Sequence, residues 1–179
     1  MNEINYQYHK TIIGELIFAS YQGKLCMLDY RYRRMRSAVD NRIKTHLLTD
    51  FVEKDDAILQ MAKKQLDEYL QSQRKSFDIP LLMLGTDFQK SVWEALLKVS
   101  YGQTASYLDL SKTIGNEKAV RAVANANGAN AIGIIIPCHR IIGSNGDLVG
   151  YAGGLAAKKR LLSLENPAFS INGQQKLKL

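Results

Sequence analysis

The stretch "GQTASYLDLSKTIGNEKAVRAVANANG", residues 102–128, decides how the second half of this chain folds. Ser106 and Asp109 stand at cap spacing and Gly115 supplies a stop, so the residues between them are expected to form a short helix. After the "GN" turn a second helix is expected, starting at cap Asn116 and finishing before Gly128. Two short helices joined by a tight glycine turn, the second carrying Arg121, have the form of a helix-turn-helix. Upstream, Thr86 and Gln89 in "TDFQ" have capping-box spacing, and Phe88, Val92, Ala95, Leu96 and Val99 supply an apolar stripe. A helix over 87–99 is predicted. Downstream, "ANAIGIIIPCHRII", residues 129–142, reads as a short buried extended segment, and "GSNGD" as a turn. "GYAGGLAAKKRLLSLE", residues 150–165, opens as a glycine-rich loop and continues as a final helix with Leu155, Leu161, Leu162 and Leu164 available for burial. From Pro167 to Leu179 there is little to bury, and fraying is expected.

The first half has a different rhythm. From Gly14, "GELIFASYQGKLCMLDYRY" alternates apolar and polar residues on both sides of "SYQGK", the pattern of a strand, a glycine-containing turn and a returning strand. Cys26 then lies in a strand as a small buried hydrophobe. "RRMRSAVDNRIK", residues 33–44, reads as a solvated surface segment, with a minor phosphate contact as the alternative. Ile58, Met61, Ala62, Gln65, Leu66, Tyr69 and Leu70 recur at helical spacing and predict an amphipathic helix over 56–71. "SQRKSFDIPLLMLG", residues 72–85, carries a proline and ends in glycine, which makes it the expected crossing between domains. The expected fold class is α+β. A small N-terminal sheet-and-helix domain would span 1–85, and a mostly helical C-terminal domain with the helix-turn-helix would span 86–179.

At 179 residues the chain can bury one sizeable core or two small ones. Lysine and arginine outnumber aspartate and glutamate 24 to 17, and the excess is 13 against 11 in residues 1–85 but 11 against 6 in residues 86–179. The basic half is therefore the half with the helix-turn-helix, which points to a polyanionic partner. No apolar run is long enough to span a bilayer, and "MNEINYQYHK" lacks the apolar core of a secretory signal, so a cytoplasmic protein without a membrane role is expected. Two cysteines cannot form a four-thiolate zinc site, and in a reducing compartment they are expected as thiols.

One of those cysteines has uncommon neighbours. Cys138 stands between Pro137 and His139, with Arg140 next. A thiol attacks as the thiolate and needs a base. Successive side chains of an extended segment point to opposite faces, so contact between Cys138 and His139 requires a backbone bend, which Pro137 favours, or a linking water. A base needs an orienting group, and Glu165 is the only acidic residue after Asp147. A Cys138, His139, Glu165 relay is one reading; a histidine satisfied by backbone and a solvated helix end is the other.

"PCHR" after an apolar run resembles the signature of the O6-alkylguanine-DNA alkyltransferases. "GQTASYLDL", "GNEKAVRAV", the asparagine of "GANA" and "GYAGGLAAKKRLLSLE" follow in that family's order and spacing, so the resemblance covers residues 86–166. Over residues 1–85 it is architectural only, implying a ribonuclease-H-like supporting domain. The resemblance implies DNA repair by direct reversal, without metal or organic cofactor. Cys138 would take the alkyl group from O6-alkylguanine, and from O4-alkylthymine as a further substrate, once per molecule. His139 would accept the thiol proton through a water, Glu165 would stabilise the imidazolium, and Tyr107 would protonate the departing guanine. The partner is double-stranded DNA, bound through the minor groove with the damaged nucleotide rotated out and Arg121 filling the gap. Asn116, Gln89 and Ser144 are candidate phosphate contacts, with cap or turn roles as their alternatives. Asn130 resembles the family's hinge asparagine, while Tyr151, Gly153 and Gly154 would wall the base pocket. Ala131 and Gly133 depart from many relatives, and a roomier pocket is expected from them. A monomer is expected, with cooperative assembly on DNA left open. Two other classes compete: a non-catalytic helix-turn-helix lesion binder, and a cysteine hydrolase, which would need an oxyanion hole and would turn over.

Overall fold

A computed structural model describes residues 2–171, so the tail expectation for 172–179 lies outside the described residues. The residues divide into two units, one running to Gly85 and including Ala131–Gly133, the other comprising Thr86–Asn130 and the residues from Ile134 onward. Among the described residues no helix is long and apolar enough to cross a membrane.

The first unit is built on a four-stranded sheet of order β3-β2-β1-β4, with β1 at Ile4–Thr11, β2 at Gly14–Tyr21, β3 at Lys24–Tyr30 and β4 at Phe51–Glu53. Strands β2 and β3 pair antiparallel up to Tyr21 and Lys24. The two residues between them, Gln22 and Gly23, both have positive φ (47° and 76°), as the tight hairpin turn that matches strand twist requires. β1 runs antiparallel to β2 and parallel to β4.

A parallel neighbour needs a crossover, and here the arginine-rich segment provides it. Instead of a solvated stretch, residues 36–47 form helix α1 (Arg36–Leu47), with Val39 and Ile43 buried against Ile4, Ile17, Ala19, Cys26 and Met27. The charge that disguised this helix has its own destination. Arg33 and Arg36 donate to the buried Asp29 carboxylate at 3.1 and 2.8 Å, so they are consumed internally. Helix α2 (Ala57–Leu70) begins at Asp56, whose carboxylate accepts from Leu59 N–H at 2.9 Å. Its buried face is Leu59, Ala62, Gln65, Leu66 and Tyr69; Met61, expected inside, is 40% exposed. Ala62, Gln65, Leu66 and Tyr69 are buried as the spacing predicts, and Leu59 is the further residue buried at the start of the helix.

Residues 72–85 are not a bare crossing. Leu25 N–H donates to Pro80 O and Leu82 N–H to Leu25 O, both at 2.8 Å, so their second half lines the edge of β3. Residues Ala131–Gly133 line β3 further along: Leu28 N–H donates to Ala131 O at 2.9 Å and Gly133 N–H to Leu28 O at 2.7 Å. An open edge of β3 is thereby covered. A Cβ at Gly133 would lie 3.4 Å from Leu28 O, so the small residue there suits this strand contact.

In the second unit, helix α3 (Asp87–Leu96) starts at Thr86 with both halves of the capping box formed. It ends a few residues earlier than the spacing predicts, with Lys98 and Val99 in a terminal turn. β5 (Ala105–Ser106) leads directly into α4 (Tyr107–Thr113), again through a complete capping box between Ser106 and Asp109. Gly115, at φ +78°, stops α4, and a 3-10 turn at Glu117–Ala119 precedes α5 (Val120–Gly128). Asn116 makes no side-chain cap, and Gly128 is the last helical residue and not the one beyond it; the 3-10 turn supplies the entry in place of a cap. Trp93 in α3 donates to Ala126 O in α5 at 2.8 Å, fixing α5 against α3.

β6 (Ile141–Ile142) pairs parallel with β5, and α6 (Leu155–Glu165) and α7 (Ala168–Ile171) follow. Leu161 and Leu162 are buried as expected, but Leu155 is 49% exposed because α6 begins at the surface. Residues 168–171, expected to fray, form the short helix α7.

Candidate active site

The backbone at Cys138 is bent. Pro137 lies at φ −83° and ψ 64°, Cys138–Arg140 form one 3-10 turn, and Arg140 N–H closes it on Pro137 O at 3.0 Å. The expected extended run is therefore broken twice, by a turn over residues 133–135, where Ile134 has φ 71°, and again at Pro137, where proline restricts φ. Just beyond the turn, β6 sets Ile141 opposite Ala105 and Ile142 opposite Ser106. Since Tyr107 follows Ser106 directly, this short ladder carries Tyr107 and Cys138 toward each other. Burial raises the Tyr107 phenol above its ordinary pKa, and the nearby Cys138 charge raises it further.

His139 is fully buried, and its Nε2 lies 2.8 Å from Glu165 Oε1. Glu165 is the last residue of α6 and accepts four further hydrogen bonds. Arg140 Nε reaches Oε2 at 2.9 Å and Oε1 at 3.2 Å, Arg140 Nη2 reaches Oε1 at 2.8 Å, and Gly102 N–H reaches Oε2 at 3.2 Å. Burial alone would raise the Glu165 pKa, but hydrogen bonds from His139 and Arg140 outweigh it and bring it to about 2. Gly102 is required at this point: its φ is +77°, and a Cβ would come 3.3 Å from the Glu165 carbonyl oxygen. Arg140 also donates to Val99 O at 2.7 Å, and its guanidinium carbon lies 5.8 Å from the Tyr101 ring centre.

These contacts fix a tautomer. Burial lowers the His139 pKa, against the raising effect of Glu165, so the ring is neutral at pH 7 while Glu165 is an anion. A carboxylate can only accept, so Nε2 carries the proton and Nδ1 keeps its lone pair. Nδ1 is buried with no hydrogen-bond partner among the described residues. The chain therefore holds a neutral imidazole, oriented from behind, with its basic nitrogen unspent.

Lys158 is a further buried charge. Its ammonium donates to Ile141 O and to Val149 O, the latter at 2.9 Å, and burial lowers its pKa to about 8, with the Cys138 charge opposing. Neither Arg140 nor Lys158 was assigned a role from sequence. Lys158, Leu161, Leu162 and Glu165 lie at helical spacing on one buried face of α6, and that spacing was the available signal.

The remaining sequence-selected residues are dispersed. Arg121 is exposed in the first turn of α5, and Asn116 and Ser144 are exposed in the turns ahead of α5 and after β6. Gln89 is used by the α3 cap, its Oε1 accepting from Thr86 N–H at 3.0 Å, which favours its cap role over a phosphate contact. Asn130 is buried and donates to Ile136 O at 2.8 Å, joining the end of α5 to the cysteine segment. Tyr151 and Gly153 are half-buried, and Gly154, at φ +88°, donates to Tyr151 O and starts α6. Cys26 and Cys138 are buried, and neither forms a disulfide.

A helix-turn-helix joined to a buried cysteine with a histidine–glutamate pair behind it defines an α+β protein with a cysteine-centred site. Residues 87–167 match the family described as 6-O-methylguanine DNA methyltransferase, DNA binding domain, and residues 4–83 match its ribonuclease-like domain. The chain belongs to the methylated-DNA–protein-cysteine methyltransferase family. It is 41% identical over 160 residues to the methyltransferase of that name from Methanosarcina barkeri, covering 89% of this chain and 96% of that one. The constitutive enzyme of Bacillus subtilis is 38% identical over 161 residues, covering 89% and 94%. Among solved structures, Mycobacterium tuberculosis OGT in complex with DNA superimposes with a TM-score of 0.81 at 38% identity, over 91% of this chain and 93% of that chain.

Proposed function

We propose that Cys138 accepts an alkyl group from O6-alkylguanine in duplex DNA, once per molecule, and that the protein thereby repairs DNA by direct reversal. The observation that carries this reading is the unspent Nδ1 of His139, a neutral imidazole whose other nitrogen is tied to Glu165. His139 takes the thiol proton, and Glu165 offsets the charge of the resulting imidazolium. The thiolate forms a bond to the alkyl carbon as the bond from that carbon to O6 breaks, and the electron pair passes to the purine. Tyr107 gives the purine its proton. The thioether has no leaving group to regenerate the thiol, so transfer ends the cycle.

A base in a duplex must be rotated out to meet a buried sulfur, at a cost of a few kcal/mol. Arg121, exposed at the start of the recognition helix, occupies the gap, while Asn116 and Ser144 contact phosphates from their exposed turns. The basic excess of residues 86–179 supports a minor-groove DNA surface on this unit. O4-alkylthymine is a secondary substrate. Two buried cysteines outside any disulfide suit the reducing cytoplasm.

The test is mass spectrometry after incubation with duplex containing O6-methylguanine. One added methyl per chain, on the Cys138 peptide and absent from Cys138→Ser, is expected. An unmodified chain, or repeated turnover of substrate, overturns the reading.

A further inference from the structure

Arg140 brings a buried charge to the site that the chemistry above does not use. It is 8% exposed and follows His139 in the same 3-10 turn. Both side chains end on Glu165. Oε1 accepts from His139 Nε2 at 2.8 Å and from Arg140 Nη2 and Nε at 2.8 and 3.2 Å, while Oε2 accepts from Arg140 Nε at 2.9 Å. The guanidinium is itself anchored, since Nη1 donates to Val99 O at 2.7 Å. One carboxylate oxygen thus serves a titrating base and a permanent cation at once.

We propose that Arg140 is a positioning residue for alkyl transfer: it grips both oxygens of Glu165 and shares the one that holds His139, so that the imidazole stays an unprotonated base at neutral pH. This rests on the reading of His139 as the acceptor of the thiol proton. A carboxylate 2.8 Å from a ring nitrogen, standing alone, strongly favours the imidazolium. An imidazolium has no lone pair on Nδ1 and cannot take a proton from Cys138. Arg140 supplies the positive charge that Glu165 needs, so the ring does not have to. The other groups around the ring fit this division. Burial, with the positive charges of Arg140 and of Lys158 on α6, lowers the His139 pKa below 6.5, and Glu165 alone opposes it. Cys138 precedes the ring in the same turn, and burial raises the phenols of Tyr107 and Tyr101 above their ordinary value, so both stay neutral at pH 7.

A merely structural pairing of Arg140 has a different consequence. Breaking a buried ion pair at one partner lowers stability and leaves the proton affinity of an uninvolved histidine alone. Here Oε1 is common to the guanidinium and the imidazole, so losing the Arg140 charge must change the base as well as the fold.

The experiment measures single-turnover methyl transfer from saturating O6-methylguanine duplex, from about pH 5 to about pH 9, for the parent, Arg140→Gln, Arg140→Met and Arg140→Lys. Nitrogen-15 histidine spectra, assigned by replacing His9 and His46, follow the ring itself. In the two neutral variants the acidic limb of the rate is expected to move up by about one pH unit, about a tenfold loss on that limb, with the plateau at high pH kept. Arg140→Lys, which restores the charge without the fork, is expected to bring the limb back toward the parent. The parent spectrum is expected to show His139 at pH 7 with a single proton, on Nε2. An unmoved limb, or an equal loss at every pH, overturns the proposal. If the neutral variants fail to fold, the parent spectrum decides, and a doubly protonated His139 at pH 7 overturns it. Failure of the parent to methylate Cys138 overturns the alkyl-transfer reading and this use of Arg140 with it, whereas an unmoved limb in a methylating protein overturns this inference alone.

Discussion

Changing Glu165 to glutamine removes one charge from the most heavily hydrogen-bonded group of the site and leaves its shape. The wild-type carboxyl falls from an ordinary 4.5 to about 2. At 1.36 kcal/mol for each tenfold change in proton affinity, that drop corresponds to about 3 kcal/mol of native-state stability. The folded pKa lies below the unfolded one, so this contribution is complete above the unfolded value near 4.5 and is lost as pH falls toward 2. Glu165→Gln is therefore expected to be about 3 kcal/mol less stable than the parent at pH 7, because Arg140 stays buried without its counter-charge. The deficit should shrink steadily from about pH 5 downward, since the wild-type carboxyl also becomes neutral. Urea unfolding followed by Trp93 fluorescence measures it, because Trp93 is the only tryptophan and is buried in the second unit. A deficit of the same size at pH 7 and at pH 3 would refute the reasoning.

Lys158→Met removes a buried ammonium whose pKa is lowered from 10.5 to about 8. The unfolded chain holds that proton more tightly, so wild-type stability should rise with pH between about 8 and 10.5, and a variant stability curve with the same rise would exclude Lys158 as its source. Thr86→Ala breaks the capping box of α3 and is expected to cost about 1 kcal/mol by the same fluorescence assay.

What could be read from the sequence follows the range of the forces involved. The caps at Thr86 and Ser106 involve residues three apart, so spacing alone revealed where α3 and α4 begin. The hairpin at Gln22 and Gly23 was legible for the same reason. Helix α1 was not, because only Val39 and Ile43 face its core, and its Arg36 finds Asp29 on a strand that the local pattern does not connect to it. Glu165 stood out as the only acidic residue after Asp147. The guanidinium that shares it belongs to the residue beside His139, yet nothing local says that Arg140 turns inward; that depends on the 3-10 turn after Pro137.

Ala131–Gly133 have a consequence for how this chain can be divided. Backbone from the latter half supplies two of the hydrogen bonds at Leu28, so the polypeptide passes between the units three times and not once. A fragment beginning at Thr86 would carry Ile132 and the Gly133 amide away from the strand that shelters them, while the fragment ending at Gly85 would lose part of the cover on β3. Neither piece is a finished object, and trimming this protein to its DNA-binding half exchanges a sealed sheet margin for a raw one.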